Sequence, residues 1–213
     1  MIISILNQKG GTGKTTIAVN LATYFANNKH SVILIDSDKQ GSSAQFRENR
    51  ADQKTLIQFP AVQITTPTLA NDLPKMNYDF IIVDVGGHDN KVFRSAIIAS
   101  DIVLVPITPS GVDFWSSEET FKIIEEAKIY KSNLKVYGMI NMLLPNTKVS
   151  HEIDELIAGI ETDYEMKFFK NRIVARVQYK YSLNDGIGII EQDSDSKAKA
   201  EFLEFMKEFK NVY

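Results

Sequence analysis

Residues Asn7–Thr16 read NQKGGTGKTT, and no other stretch restricts the fold of this chain so tightly. Gly10, Gly11 and Gly13 let the backbone curl so that successive N–H groups face one point. The preceding run, Ile2–Leu6, is apolar and rich in β-branched residues. The following run, Lys14–Asn27, carries Ile17, Leu21, Tyr24 and Phe25 at helical spacing. Strand, glycine-rich turn and helix together form the context in which a phosphate is held at a helix N-terminus. Lys14 is placed to reach the β- and γ-phosphates of a nucleotide, and the Thr15 hydroxyl to ligate Mg²⁺. Thr12 and Thr16 complete the loop residues expected to touch the nucleotide. The usual pattern, G-x-x-x-x-G-K-[ST], is met at Gly13, Lys14 and Thr15 but fails at position 8, where Gln8 stands. An extra lysine, Lys9, precedes the glycine pair instead.

The rest of the chain continues the alternation. Strand-like runs are Val32–Ile35, Phe80–Val83, Ile102–Val105 and Val136–Ile140. Helix-like segments are Ser42–Asn49, Asn90–Ala99, Ser116–Tyr130, Ser150–Glu161 and Ser194–Lys210. This order predicts an α/β fold, a mostly parallel twisted sheet flanked by helices on both faces. The 213 residues suit a single P-loop NTPase domain spanning 1–213. With the first strand at residue 2, no N-terminal DNA-binding extension is expected. There are no cysteines, which excludes disulfides, thiolate zinc sites and iron–sulfur clusters. The start MIISILNQ lacks the basic region of a signal peptide, and no run reaches the ~18 apolar residues of a membrane span. A cytoplasmic location is expected. The formal net charge of -3 confines any nucleic-acid binding to a local patch.

Two further segments carry acids at strand ends. In VILIDSDKQG, Asp36 and Asp38 follow an apolar strand, at the sheet edge where ligands of α/β folds collect. They can serve Mg²⁺ or position a water; the alternative is that they cap the helix starting near Ser42. In YDFIIVDVGG, Asp84 ends an apolar strand in the form of a Walker B segment and would hold Mg²⁺ through water. Gly86 and Gly87 allow close approach to a γ-phosphate. Guanine-reading proteins of related type place [NT]-K-x-D after a late strand. Here Asn141 is present as a nucleotide-binding candidate, but Met142 and Leu144 replace the Lys and Asp. ATP is therefore expected over GTP.

Together these residues resemble the ParA/MinD family of deviant Walker A ATPases. The family loop K-G-G-x-x-K-[ST] matches Lys9–Thr15, and its D-x-D-P-Q-G motif appears as DSDKQG, with Lys39 in place of proline. VPITPSGVDF and RIVARVQYKYSLNDG are similar to later family segments. The resemblance implies a homodimer when ATP is bound, with Lys14 serving its own nucleotide and Lys9 crossing to the partner's phosphates. It implies catalysis by Lys9, Lys14 and Asp38, with Asp38 positioning the attacking water. Mg²⁺ would be held by Thr15, Asp84 and Asp36.

Without an N-terminal extension the chain resembles small plasmid-type ParA proteins. These imply non-specific DNA binding, association with the nucleoid and a centromere-binding adaptor protein as partner. The segment KFFKNRIVARVQYK holds Arg172, Arg176 and Lys180 with no acid in the segment, and these are the DNA-binding candidates. The final segment has Ala198, Phe202, Phe205, Met206 and Phe209 at helical spacing. It reads as a helix packed on the sheet, so no membrane association is expected. A MinD-like membrane-positioning ATPase and a dethiobiotin-synthetase-like ligase are the alternatives. Phe114 and Trp115 read as core, with a dimer face as the alternative. His30, His88 and His151 lack metal-ligand spacing, although His88 follows the glycine pair toward the γ-phosphate.

Overall fold

The computed structural model describes residues 1–109, 111–145, 147–192 and 196–213, the side chains of 111–114 and 148–151 excepted. The strands are β1 (Ile2–Ile5), β2 (Val32–Asp36), β3 (Ala61–Gln63), β4 (Phe80–Asp84), β5 (Ile102–Ile107), β6 (Lys135–Ile140) and β7 (Lys167–Phe168). Among the described residues they form one sheet in the order β3-β2-β4-β1-β5-β6-β7, and every pairing is parallel. The helices are α1 (Lys14–Asn27), α2 (Ser42–Ala51), α3 (Leu69–Asp72), α4 (Lys91–Ala99), α5 (Gly111–Lys128), α6 (Lys148–Asp163), α7 (Val177–Asp185) and α8 (Lys197–Phe209).

The continuous apolar strands follow from burial on both faces. In β1, Ile3 and Ile5 enter one core with Ile17 and Phe25 of α1 and Phe202 and Phe205 of α8. Ile2, with Leu6 just beyond the strand, enters the other, with Phe93 of α4, Phe121 of α5 and Ile153 of α6. Strands β2, β4 and β5 alternate the same way, as a side-chain period of two requires. The α8 stripe Ala198, Phe202, Phe205, Met206 and Phe209 is wholly buried. Phe205 and Phe209 pack against Phe169 at the edge of the sheet. No helix among the described residues is long and apolar enough to cross a membrane.

The expected strands and helices are present, with differences that have physical causes. Strands β3 and β7, three and two residues long, are too short to show a periodic signal. Helix α7 buries only Tyr179 and Ser182, so it has no apolar stripe to detect. Residues 193–195 of the last expected helix lie outside the described residues. The expectation that Trp115 is core is corrected, because its exposure is 73%. Helix α5 turns Ser117, Thr120, Phe121 and Ile124 inward, and Trp115 projects from the opposite side. The Phe114 side chain lies outside the described residues.

One ion pair fastens the layers behind the strand ends. Arg50, in the last turn of α2, is 1% exposed. Its guanidinium donates to Glu191 Oε1 and Oε2, to the Gly186 carbonyl and twice to the Ile57 carbonyl. All five of its N–H donors are thereby used. The ring of Phe59 lies 5.0 Å away. Glu191 also accepts from Asn27 of α1 and the Gly188 N–H. Gly186 caps α7 at φ +68, and a Cβ there would lie 2.2 Å from the Arg50 nitrogen. Removing one partner of such a pair strands a buried charge at a cost of about 3–5 kcal/mol. Arg50→Ala or Glu191→Ala therefore lowers the urea midpoint by that equivalent, and the combined Arg50→Met and Glu191→Leu replacement by less. An unchanged midpoint in either single variant removes the pair from the account of stability.

Candidate phosphate and metal site

The site is assembled where the central strands end. Register places Ile5 of β1 and Asp36 of β2 opposite Asp84 of β4. The 7–16 loop, the 36–42 segment and the 84–90 segment therefore leave the sheet side by side. Asn7, fully buried, anchors the loop. Its Nδ2 donates to the Pro106 carbonyl and Ser117 Oγ, and its Oδ1 accepts the Lys9 N–H at 2.9 Å. Gln8 N–H donates to Thr120 Oγ1. Gly11 and Gly13 adopt φ +77 and +85, dihedrals that a side chain disfavours. At Gly13 a Cβ would also meet Asn141 Nδ2 at 2.3 Å. Gly13 starts α1 without a side-chain cap, leaving the first N–H groups of the helix to an anion.

Lys14 is buried, and its Nζ donates 3.1 Å to the Lys9 carbonyl. Burial lowers its pKa, against the opposing pull of Asp84 and Asp38. Opposite it, Asp84 is 1% exposed. Its Oδ2 accepts a 2.6 Å hydrogen bond from Ser43 Oγ, and Thr15 also donates to it. Burial raises its pKa from 3.8 to about 6, with the hydrogen bonds of Ser43 and Thr15 opposing the rise. Asp36 is raised too, chiefly by burial. Both of its oxygens are taken by backbone: Oδ1 accepts from Asp38, and Oδ2 from Ser43 and Ala44. It anchors the start of α2, the alternative left open for it in the sequence. Asp38 keeps one oxygen on the Gln40 N–H and faces Gly86, whose Cβ position is 3.5 Å from Asp38 Oδ2.

These groups line a cleft of about 640 Å³ that runs past Gly10, Lys14, Thr15, Asp38, Gly87 and His88. A second cleft of about 280 Å³ lies between Thr16, Met142, Val174, Tyr179 and Lys180. Met142 and Leu183 line both. Thr12 Oγ1 and Gln8 Nε2 are buried without a hydrogen-bond partner among the described residues. The residues fit a nucleotide triphosphate with Mg²⁺: a curled backbone, a buried lysine, orphaned polar atoms, and a hydroxyl bonded to a carboxylate. No cluster of three or more metal-ligating side chains exists among the described residues.

The model of the CobQ/CobB/MinD/ParA nucleotide-binding domain matches residues 3–203. The chain belongs to this family. It is 25% identical over 203 residues to the maintenance of carboxysome distribution protein A of Halothiobacillus neapolitanus, covering 93% of this chain and 91% of that one. It is 24% identical over 251 residues to the chromosome partitioning protein ParA of Myxococcus xanthus, covering 97% and 87%. The septum site-determining protein MinD of Pyrococcus horikoshii, solved with Mg-ADP, superposes with a TM-score of 0.75 at 16% identity, covering 99% and 96%.

Within this family member, the structure gathers Gly10, Gly11, Gly13, Lys14, Thr15 and Asp38 on the first cleft. Thr12 is buried beneath the loop, and Thr16 turns to the second cleft. Lys9 is half-buried at the start of the loop. Asn141 is 3% exposed, and its amide donates 2.8 Å to the Thr12 carbonyl. It braces the loop from behind with one of its two amide N–H groups and also lines the second cleft. Lys180 and Arg176 line the second cleft. Their segment holds no acid of its own, yet Arg176 pairs with Glu201 of α8 at 2.9 Å, and Arg172 with Asp154 of α6. Both acids come from distant sequence. The reading along the chain missed Asn7, Ser43, Ser117 and Thr120. Asn7 and Ser43 stand beside expected turns, whereas Ser117 and Thr120 lie within α5 and carry no signal along the chain.

The raised Asp84 pKa has a signed consequence. The folded state holds this proton more tightly than the unfolded chain, so stability falls as pH rises from about 4 to 6. At about 1.4 kcal/mol per pH unit the loss is on the order of 3 kcal/mol. In EDTA and without nucleotide, Asp84→Asn is more stable than the wild type at pH 7.5, and the difference shrinks at pH 4.5. Thermal unfolding at both values checks this; an equal difference at both excludes Asp84 as the titrating group.

Proposed function

We propose that this chain is an ATP-hydrolysing partition switch: a dimer when ATP is bound, binding DNA without sequence preference, and released by hydrolysis. The observation that carries the reading is the loop itself. Lys14 is held inside it on the Lys9 carbonyl, which supports separate places for the two lysines around one phosphate. Lys14 serves the β- and γ-phosphates of its own nucleotide, and Lys9 reaches those of the second protomer. The second cleft, apolar and beside Thr16 and Met142, takes the adenine.

In hydrolysis a water oxygen bonds to the γ-phosphorus in line with the breaking bond, and ADP leaves with the electron pair. Asp38 orients that water from the cleft wall and takes up its proton. Lys14 and Lys9 oppose the charge that develops. Bound Mg²⁺ supplies neutralisation of phosphate charge, and Thr15 and Asp84 are the residues that would hold it. Asp36 supports them through the start of α2.

The partition role is supported by the relatives named as ParA and as a carboxysome distribution protein. DNA contact is assigned to Lys180, Arg172 and Arg176, the last two exchanging a carboxylate for a phosphate. A separate adaptor that marks the cargo and stimulates hydrolysis completes the scheme.

Random duplex DNA at two salt concentrations, with ATP, ADP or no nucleotide, tests it. Binding appears with ATP only and weakens steeply with salt. Lys9→Ala reduces turnover about 10²-fold or more while ADP still binds. DNA binding indifferent to nucleotide, or absent throughout, rejects the partition role while leaving the ATPase intact.

A further inference from the structure

Helix α2 presents one side chain to the metal-holding carboxylate, and nothing in the loop motifs accounts for it. Ser43 is fully buried. Its Oγ donates to Asp84 Oδ2 at 2.6 Å, while its backbone N–H donates to Asp36 Oδ2 at 3.2 Å. The two bonds divide its duties. The backbone bond starts the helix and survives any replacement of the side chain. The hydroxyl bond crosses to a different strand, β4, and reaches Asp84.

A hydroxyl donating to a carboxylate favours the charged form and fixes its rotation. The carboxylate here is wholly buried, where a wrong rotamer or a retained proton would remove it from metal binding. The post that carries Ser43 is rigid, because the far end of α2 is locked by Arg50 to Glu191 and to the carbonyls of Gly186 and Ile57. The near end carries the chain from Asp38 and Gln40, which line the cleft. Ser43 therefore joins the wall that orients water to the wall that holds the metal.

We propose that Ser43 is a positioning residue for the magnesium-bound nucleotide: its hydroxyl holds the Asp84 carboxylate in the orientation that the metal requires. The proposal rests on the assignment of Asp84 to Mg²⁺. Partners that orient a metal-binding carboxylate are typically worth 10- to 100-fold in metal affinity.

The test uses the full chain and a fluorescent ADP analogue, titrated with Mg²⁺ after EDTA treatment. Wild type, Ser43→Ala, Asp84→Asn and the double variant are compared. Ser43→Ala keeps the affinity for the analogue in EDTA and needs about tenfold more Mg²⁺ for half saturation. Ser43→Cys, a weaker donor of similar size, lies between. The double variant is no worse than Asp84→Asn alone, because the serine acts through that carboxylate. A wild-type Mg²⁺ requirement in Ser43→Ala overturns the proposal, as does an additive loss in the double variant. If Asp84→Asn retains the wild-type requirement, the assignment of Asp84 itself fails, whatever Ser43→Ala shows.

Discussion

Two carboxylates, Asp36 and Asp84, end neighbouring parallel strands in register, and both are about 1% exposed. Two like charges buried side by side repel each other and lose their hydration, so left alone they would hold protons. The surrounding chemistry answers that constraint. Asp36 is given three backbone N–H groups, from Asp38, Ser43 and Ala44. Asp84 is given two hydroxyls, from Ser43 and Thr15, and the nearby ammonium of Lys14. The division supports the assignment, in the proposed function, of Asp84 to the metal and of Asp36 to the start of α2. Asp36 has its oxygens on the backbone at the start of a helix, whereas Asp84 is held by side-chain hydroxyls beside the phosphate loop.

The phosphate loop is fixed by groups outside itself. Asn7 reaches β5 and α5, Gln8 reaches α5, and Asn141 reaches back from the end of β6. The chain can bring Asn141 there only by turning sharply, and Met142 takes φ +57, a conformation costing a non-glycine residue about 1–2 kcal/mol. The turn places the Met142 side chain between the two clefts. Its ε-carbon would lie 3.0 Å from a Cβ on Gly13, so the glycine is required by the packing of its neighbours as well as by its own dihedral.

What was legible along the chain is what depends on local chemistry. Helix α1 has the expected bounds, Lys14–Asn27, because a glycine-rich turn precedes it and its apolar spacing is regular. Asp84 was readable because a buried strand must be apolar until it ends. The illegible features are those made by distant partners. Asp154 and Glu201 neutralise Arg172 and Arg176 across 18 and 25 positions. Asn141 spends its amide on Thr12, 129 positions away. Trp115 is large and apolar, and only the orientation of α5 decides that it faces outward. Ser43 carries no motif at all, since its role comes from a strand 41 positions later.

The proposed dimer gives the extra lysine of the loop a physical place. Lys9 is held by its backbone at both ends, its N–H on Asn7 Oδ1 and its carbonyl under Lys14 Nζ. The backbone bonds keep the peptide where Lys14 needs it. Two ammonium groups aimed at one phosphate from the same loop would repel each other at close range. The repulsion is least if they approach from opposite sides of a nucleotide that lies between two copies of the loop. In the proposed dimer each copy supplies one lysine to each side. The charge on the γ-phosphate then decides whether the arrangement is stable: three phosphates bring the two faces together, and the loss of one leaves the opposed lysines underneutralised.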